Sequence, residues 1–151
     1  MPQSLVMVYL HIVFSTKNRH PYLDDKDLQQ KLFGYMAGIC QNLECSALKI
    51  GGVENHVHLL TRHCKILAIS DFMRDLKRSS STWLKTQKAS LASFHWQSGY
   101  GAFSISPSHV EELKAYIVNQ EKHHQKISFK DEFRQLCKKY GVEVDERYVW
   151  D

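Results

Sequence analysis

No apolar run in the 151 residues approaches the roughly 20 that a helix needs to cross a bilayer, so a membrane-spanning protein is not expected. Nor does the chain open on the solid apolar block of a secretory leader, because its first residues alternate. Cysteine is sparse: Cys40, Cys45, Cys64 and Cys137 lack the dense spacing of a disulfide framework, and a cytoplasmic location with reduced thiols is expected. None of them, nor His63 beside Cys64, shows the paired spacing of zinc ribbons or fingers, so a structural zinc site is not expected. Low-complexity segments and fixed-period repeats are absent, which argues against disorder and against solenoids. No G-x-x-x-x-G-K-[ST] phosphate loop appears. Neither sign of charge dominates: the net charge of +4 permits nucleic-acid binding without requiring it.

What is present fits one domain over residues 1–151, with hydrophobic residues at 43%. Residues 5–14, LVMVYLHIVF, are rich in β-branched and aromatic types and read as a first strand. From Asp24, apolar residues recur at helical spacing to about Asn42. Residues 46–53 and 55–63 read as two strands joined by a tight turn at Glu54-Asn55. A helix capped by Ser70 or Asp71 should run to about Thr86. The aromatic ribbon 93–105 suggests a fourth strand or a bent ribbon. A helix capped by Ser106 or, better, Ser108 should span His109 to His124. A last helix should stop at Gly141, followed by a tail whose aromatics dock on the body. The order is that of an α+β, ferredoxin-like βαββαβ fold: an antiparallel sheet with helices on one face, plus C-terminal helices.

Two places carry chemistry. In GGVENHVHLL, His56 and His58 are two apart on a strand and therefore share a face, while Val57 and Leu59 point the other way. Alone, the pair is equally compatible with two hydrogen-bonded histidines or with half of a metal site. In HVEELKAYIVNQEKHH, Tyr116 and Gln120 are four apart and lie on one helical face, at the border of the apolar stripe Val110, Leu113 and Ile117. Alone, Tyr116 reads as a half-buried tyrosine of an amphipathic helix.

Together, NHVHLL and YIVNQEKHH resemble the HUH single-tyrosine transposases, the small enzymes of insertion sequences and the REP-associated tyrosine transposases. The likeness extends over nearly the whole chain, from HIVFSTKNR through WQSGYGAFSIS to YVW, as one HUH transposase domain. Asn55 departs from it, because relatives often carry aspartate there. The resemblance implies Tyr116 as nucleophile and His56, His58 and Gln120 as ligands of Mg²⁺ or Mn²⁺. With Gln120 one turn beyond Tyr116, a single catalytic tyrosine is expected. It also implies cleavage and rejoining of single-stranded DNA through a 5′-phosphotyrosine intermediate, hairpins at element or repeat ends as partners, and a homodimer. Two imidazoles and an amide add no negative charge, a ligand set that suits Mn²⁺ better than Mg²⁺.

For the DNA surface, Lys17, Arg19, Arg74, Lys77 and Arg78 are candidates for charge, and Phe94, Trp96 and Tyr100 for stacking faces. His123 and His124 are candidate proton acceptors by proximity, and the Gly51-Gly52 pair is expected to leave room for the strand being cut. A non-catalytic or domesticated hairpin-binding module is the alternative. A zinc hydrolase using the histidine pair ranks behind both, for want of a third histidine or carboxylate ligand.

Overall fold

The computed structural model describes residues 2–151. Strand β1 (Val8–Ser15) begins three residues later than the sequence suggests, and Leu5, Val6 and Met7 stay exposed ahead of it. Helix α1 (Lys26–Asn42) starts where the Asp25 carboxylate accepts from the Asp27 and Leu28 amides, satisfying two otherwise unpaired donors. Strands β2 (Ala47–Gly52) and β3 (His56–His63) form the expected hairpin. Helix α2 (Ile69–Lys85) is preceded by Ala68; neither Ser70 nor Asp71 caps it, and both lie inside its first turn.

Strand β4 is only Gly101–Ile105. Residues 93–100 leave the sheet, apart from a single bridge between Thr16 and Trp96. A short 3-10 turn, Pro107–His109, leads into α3 (Val110–Val118). Ser106 and Ser108 bond to each other and to His109 Nδ1 rather than to a helix amide; Ser106 is the N-cap residue of the 3-10 turn without a side-chain bond, and His109 that of α3. The expected 109–124 helix breaks at Asn119, between Tyr116 and Gln120, and resumes as α4 (Gln120–His123). Helix α5 (Phe129–Lys139) is capped by Ser128, whose hydroxyl accepts from the Asp131 amide. It closes at Gly141, whose φ of 69° lets the Val142 amide reach back to Cys137 O.

All pairings are antiparallel, in the order β2-β3-β1-β4. Helices α1 and α2 cover one face, over a core that includes Leu10, Ile12, Phe14, Val57, Leu59, Leu32 and Phe72. The other face carries Leu60 under Leu113 and Ile117 of α3, and Val13 and Phe103 under Phe129 and Phe133 of α5. β1 is therefore covered on both sides, which explains six consecutive buried residues in a strand. The fold is the ferredoxin-like α+β architecture read from the sequence, with the C-terminal helices closing the second face.

Of the tail aromatics, Trp150 docks: it packs near Phe133, and its indole N–H donates to Glu146 Oε2 at 2.7 Å. Tyr148 stays 65% exposed, against the expectation that both dock.

Candidate active site

His56 and His58 open β3 on the face beneath α3, α4 and α5, and both are completely buried. Alternation on the strand puts them there, since Val57 and Leu59 belong to the opposite core. The neighbouring Gly51, paired with His58, permits the overlying helix to come close. A Cβ at Gly51 would stand 2.7 Å from Ile117 O, so the glycine makes room for α3 rather than for DNA. At Gly52 a Cβ would meet His56 O at 2.3 Å.

α3 and α4 deliver Tyr116 and Gln120 to the same centre. His56 Nε2 lies 3.0 Å from Gln120 Oε1, and the Tyr116 ring centroid is 5.7 Å from that of His58. All four residues implied by the resemblance thus meet within one chain.

The hub of the cluster is Glu132, from α5. It accepts from the Tyr116 hydroxyl and from Gln120 Nε2 at 3.0 Å through Oε2; Oε1 faces His58 Nε2 at 3.1 Å and His124 Nε2 at 3.0 Å. Burial alone would raise the Glu132 pKa, but the surrounding His124, His56 and His58 outweigh it and hold the carboxyl well below the ordinary range. His124 donates Nδ1–H to Ile127 O at 2.7 Å, so both of its nitrogens serve as donors. Its pKa, which burial would lower, is raised by Glu132, and the two form a buried ion pair. Tyr116 is pushed above its ordinary value, first by burial and then by the Glu132 charge. The tyrosine is therefore a protonated phenol that donates to Glu132.

The protons of the histidines follow from their partners. His56 donates Nδ1–H to Asn55 Oδ1 at 2.7 Å, leaving the lone pair on Nε2. The Gln120 amide is oriented by its own bond to Glu132, so its Oε1 is what faces His56 Nε2. In this tautomer two acceptors meet at 3.0 Å, and Glu132 Oε1 stands 3.4 Å from the same nitrogen. Burial keeps the His56 pKa down at about 4, so a proton does not fill the gap at neutral pH. His123 Nε2 is a further buried nitrogen without a hydrogen bond: it stands 3.3 Å from Glu132 Oε2 but out of bonding geometry. Converging lone pairs with no shared hydrogen call for a cation. One ligand atom from each of His56, His58, His124 and Glu132 lies within 4.8 Å of the others. His56, His58 and Glu132 fit a divalent metal ion, whereas His124, with both nitrogens donating to Ile127 O and Glu132 Oε1, has no lone pair to offer while that ion pair stands.

On β1, His11 shares one hydrogen with His58 across 2.8 Å, between His11 Nε2 and His58 Nδ1. Supplied by His58, that hydrogen leaves His58 Nε2 free to bind an ion; supplied by His11, it makes His58 Nε2 a donor to Glu132. The tautomers of His58 and of His11, which burial drives down to about 3, are therefore coupled.

Glu132 and His11 escaped the sequence reading. A signal for each was present. Glu132 falls on the apolar stripe of α5 with Phe129, Phe133 and Cys137, and His11 interrupts an otherwise apolar strand. A cavity of about 440 Å³ opens beside the cluster, lined in part by His11, Tyr116, His123, Glu132, Lys139 and Tyr140.

The basic candidates divide. Thr16 N donates to Asn55 O at 2.9 Å, so Lys17 and Arg19 follow directly at the end of the sheet where His56 begins. Arg19 also donates to Trp150 O. Arg74, Lys77 and Arg78 lie on α2, across the sheet from the histidines. Arg74 pairs with Asp71 and Asp75, and Arg78 with Asp75. Lys77 donates to Gln97 O and Gly99 O and lies over the Phe14 ring, a structural placement. Phe94 and Trp96 are core residues, not stacking faces, and the Trp96 indole donates to Ser80 Oγ.

The four-stranded antiparallel sheet and the helix that brings a tyrosine to its histidine pair are the setting for the family match. Residues 4–120 match the family described as transposase IS200 like, and the chain belongs to that family. The chain is similar in fold to the crystal structure of a candidate transposase from Deinococcus radiodurans R1: 21% identity, 78% of this chain and 93% of that one covered, TM-score 0.61. It is also similar to a REP-associated tyrosine transposase solved bound to a REP hairpin: 14% identity, 83% and 73% covered, TM-score 0.60. No curated protein matches the chain. The family match ends at Gln120, so α5 and Glu132 lie beyond it. Among the described residues, no helix is long and apolar enough to cross a membrane.

Proposed function

We propose that this transposase is a metal-dependent enzyme that cuts and rejoins single-stranded DNA through a 5′-phosphotyrosine intermediate, with Tyr116 as nucleophile. The observation that carries the reading is the meeting of His56, His58, Gln120 and the Tyr116 hydroxyl around one buried carboxylate. His56, His58 and Gln120 would hold Mg²⁺ or Mn²⁺, and Glu132 adds an anionic oxygen that makes the set more hospitable to Mg²⁺ than neutral ligands alone. The ion would supply Lewis-acid stabilisation of charge on the phosphate.

The chain's own groups do the rest. Tyr116 Oη attacks phosphorus, forming the tyrosyl 5′-phosphate bond as the bond to the 3′-oxygen breaks, and the leaving oxygen takes up a proton as 3′-OH. The phenol proton points at Glu132 Oε2. Next to it stands His123, whose pKa burial lowers and whose Nε2 is unpaired. Reversal with another 3′-OH joins strands, one phosphodiester replacing another, without nucleotide hydrolysis. The cavity beside Tyr116 has room for the nucleotide at the cut. Because the nucleophile and the histidines of one chain already lie together, the geometry favours cleavage in cis, also within the homodimer that the resemblance implies.

Hairpin DNA at element or repeat ends is the proposed substrate, and the REP-hairpin complex of the similar structure supports it. Lys17 and Arg19 are proposed to meet its phosphates near the site; Arg74 and Arg78 would do so only at the far face. A cytoplasmic setting suits the four free thiols.

The test is covalent capture. With Mn²⁺ and hairpin DNA carrying a single-stranded flank, the wild-type protein should form a denaturation-resistant adduct on the 5′-phosphate fragment. Tyr116→Phe should form none while still binding DNA. Adducts at wild-type level in that variant would assign the nucleophile elsewhere, and tight binding by wild type with intact substrate would favour the non-catalytic module.

A further inference from the structure

The other end of β3 carries a second group of ligands. His56 and His63 are the first and last residues of this eight-residue strand, which separates them by about 23 Å at 3.3 Å per residue. Glu44, at φ 59°, turns the chain after α1 so that the Cys45 amide bonds Cys40 O, and Cys45 is buried. The β2–β3 ladder then sets Ser46 against Arg62, which brings Cys45 beside His63 and Cys64. Cys45 Sγ lies 3.7 Å from His63 Nδ1 and accepts from the Cys64 amide at 3.3 Å. One ligand atom from each of the three residues lies within 4.8 Å of the others.

The orientation of the imidazole matters most. His63 donates Nε2–H to Leu67 O at 2.6 Å, which leaves the Nδ1 lone pair aimed at Cys45. A backbone carbonyl on the distal N–H is the arrangement that fixes metal-binding histidines. A sulfur and a nitrogen bound to one tetrahedral zinc, at about 2.3 and 2.0–2.1 Å, stand about 3.6 Å apart, close to the separation seen here. The thiols differ in character. Burial pushes Cys45 up to about 11; for Cys64 burial acts the same way, but Cys45 and the amides of Ile66 and Leu67 draw its thiol below the ordinary value. Cys64 and His63 are half-buried, so the cluster lies close to the surface.

The geometry points to Cys45, His63 and Cys64 as a three-ligand site for a thiophilic divalent ion, zinc by ligand chemistry, which clamps the α1–β2 turn to the β3–α2 loop. The spacing of the three in sequence hides the site, because the hairpin, not a local motif, assembles it. It stands independently of the transposase chemistry.

Cobalt separates the two centres, because only this one offers thiolate. Full-length protein, reduced with a non-thiol reductant and titrated with Co²⁺, should develop a sulfur-to-metal charge-transfer band that Zn²⁺ abolishes by displacement. The band should persist in His56→Ala/His58→Ala and vanish in Cys45→Ser/Cys64→Ser. Cys64→Ser alone, at the more exposed ligand, should weaken Zn²⁺ binding by at least the roughly 10–100-fold expected of an outer-shell loss. A wild-type protein with no charge-transfer band overturns the proposal, leaving a thiol–imidazole hydrogen bond. So does a band that survives loss of both cysteines. Wild type is the primary arm, so failure of a variant to fold does not rescue the idea.

Discussion

The two faces of the sheet are made by the same strands and obey opposite rules. Towards α1 and α2, β1 and β3 send Leu10, Ile12, Phe14, Val57 and Leu59 into a core whose only demand is shape. Towards α3, α4 and α5 they send His11, His56 and His58, equally buried, into a polar network with a carboxylate at its centre. Burial of the first kind favours folding through apolar area. The second kind costs desolvation, offset only where each group has a partner. The network leaves His123 Nε2 without a partner and, in the tautomer that donates Nδ1–H to Asn55, sets the His56 and Gln120 lone pairs against each other; those exceptions mark where a ligand belongs.

Breaking the polar face should have the largest effect on chemistry. His56→Ala or His58→Ala is expected to cut Mn²⁺-dependent cleavage by roughly 10²–10³-fold, the scale of losing one preorganised electrostatic stabiliser. Circular dichroism and hairpin retention should stay near wild type; a variant that cleaves normally would remove the histidines from the site. Glu132→Gln keeps the shape and removes the charge. Mn²⁺ affinity, read by calorimetric titration, should fall about 10–100-fold, and unchanged affinity would make the carboxylate a structural clamp only.

The apolar face should answer differently. Leu32→Ala, in the fully buried core, is expected to lower unfolding free energy by about 2–5 kcal/mol, with the cleavage rate per folded molecule unchanged. Denaturant titration beside the adduct assay separates the two quantities.

A smaller contrast is in pH. In chelator-treated protein, His56 and His11 keep folded-state values of about 4 and about 3 against an ordinary 6.5. Below 6.5 the unfolded chain takes up protons that the folded chain refuses, so their contribution is complete above 6.5 and is lost as pH falls through 4 towards 3. Glu132, with its depressed pKa, continues the loss below its ordinary 4.5. His124 works the other way, its contribution present below 6.5 and lost as pH rises through its raised value. Urea unfolding at pH 7 and pH 4.5 should show lower stability at the acid end, with a smaller drop in His11→Phe. Equal stability at both would contradict neutral burial of the histidines.

The smallest effect belongs to the exposed arginines. Arg74→Ala and Arg78→Ala should change stability within about ±0.5 kcal/mol. They should also alter the salt dependence of hairpin binding less than Lys17→Ala does, since α2 lies across the sheet from the site. A larger effect from α2 would move the DNA path to that face.

The meeting of His56, His58, Tyr116 and Gln120 was in good part legible in the sequence. The two-residue repeat of a strand fixes the shared face of His56 and His58, while Tyr116 and Gln120, four apart, still reach one centre across the break at Asn119. The break at Asn119 was not legible; it falls inside a stretch whose periodicity is continuous. The basic residues misled for a related reason: charge along the chain does not say that Lys77 will be occupied by the carbonyls of residues 97 and 99.

By itself, then, the sequence determined the order of elements, the face shared by the two histidines, and the motifs that place the chain among the IS200-like transposases. Only the tertiary structure decided that Glu132, 74 residues from His58, becomes the centre of the network. It also decided that His11 pairs with His58, that Gly51 admits a helix, and that Cys45 meets His63 and Cys64. The physical reason is range. Periodicity is local and is written in neighbouring residues, whereas the protonation and partnership of a buried polar group depend on whichever distant segments packing brings against it.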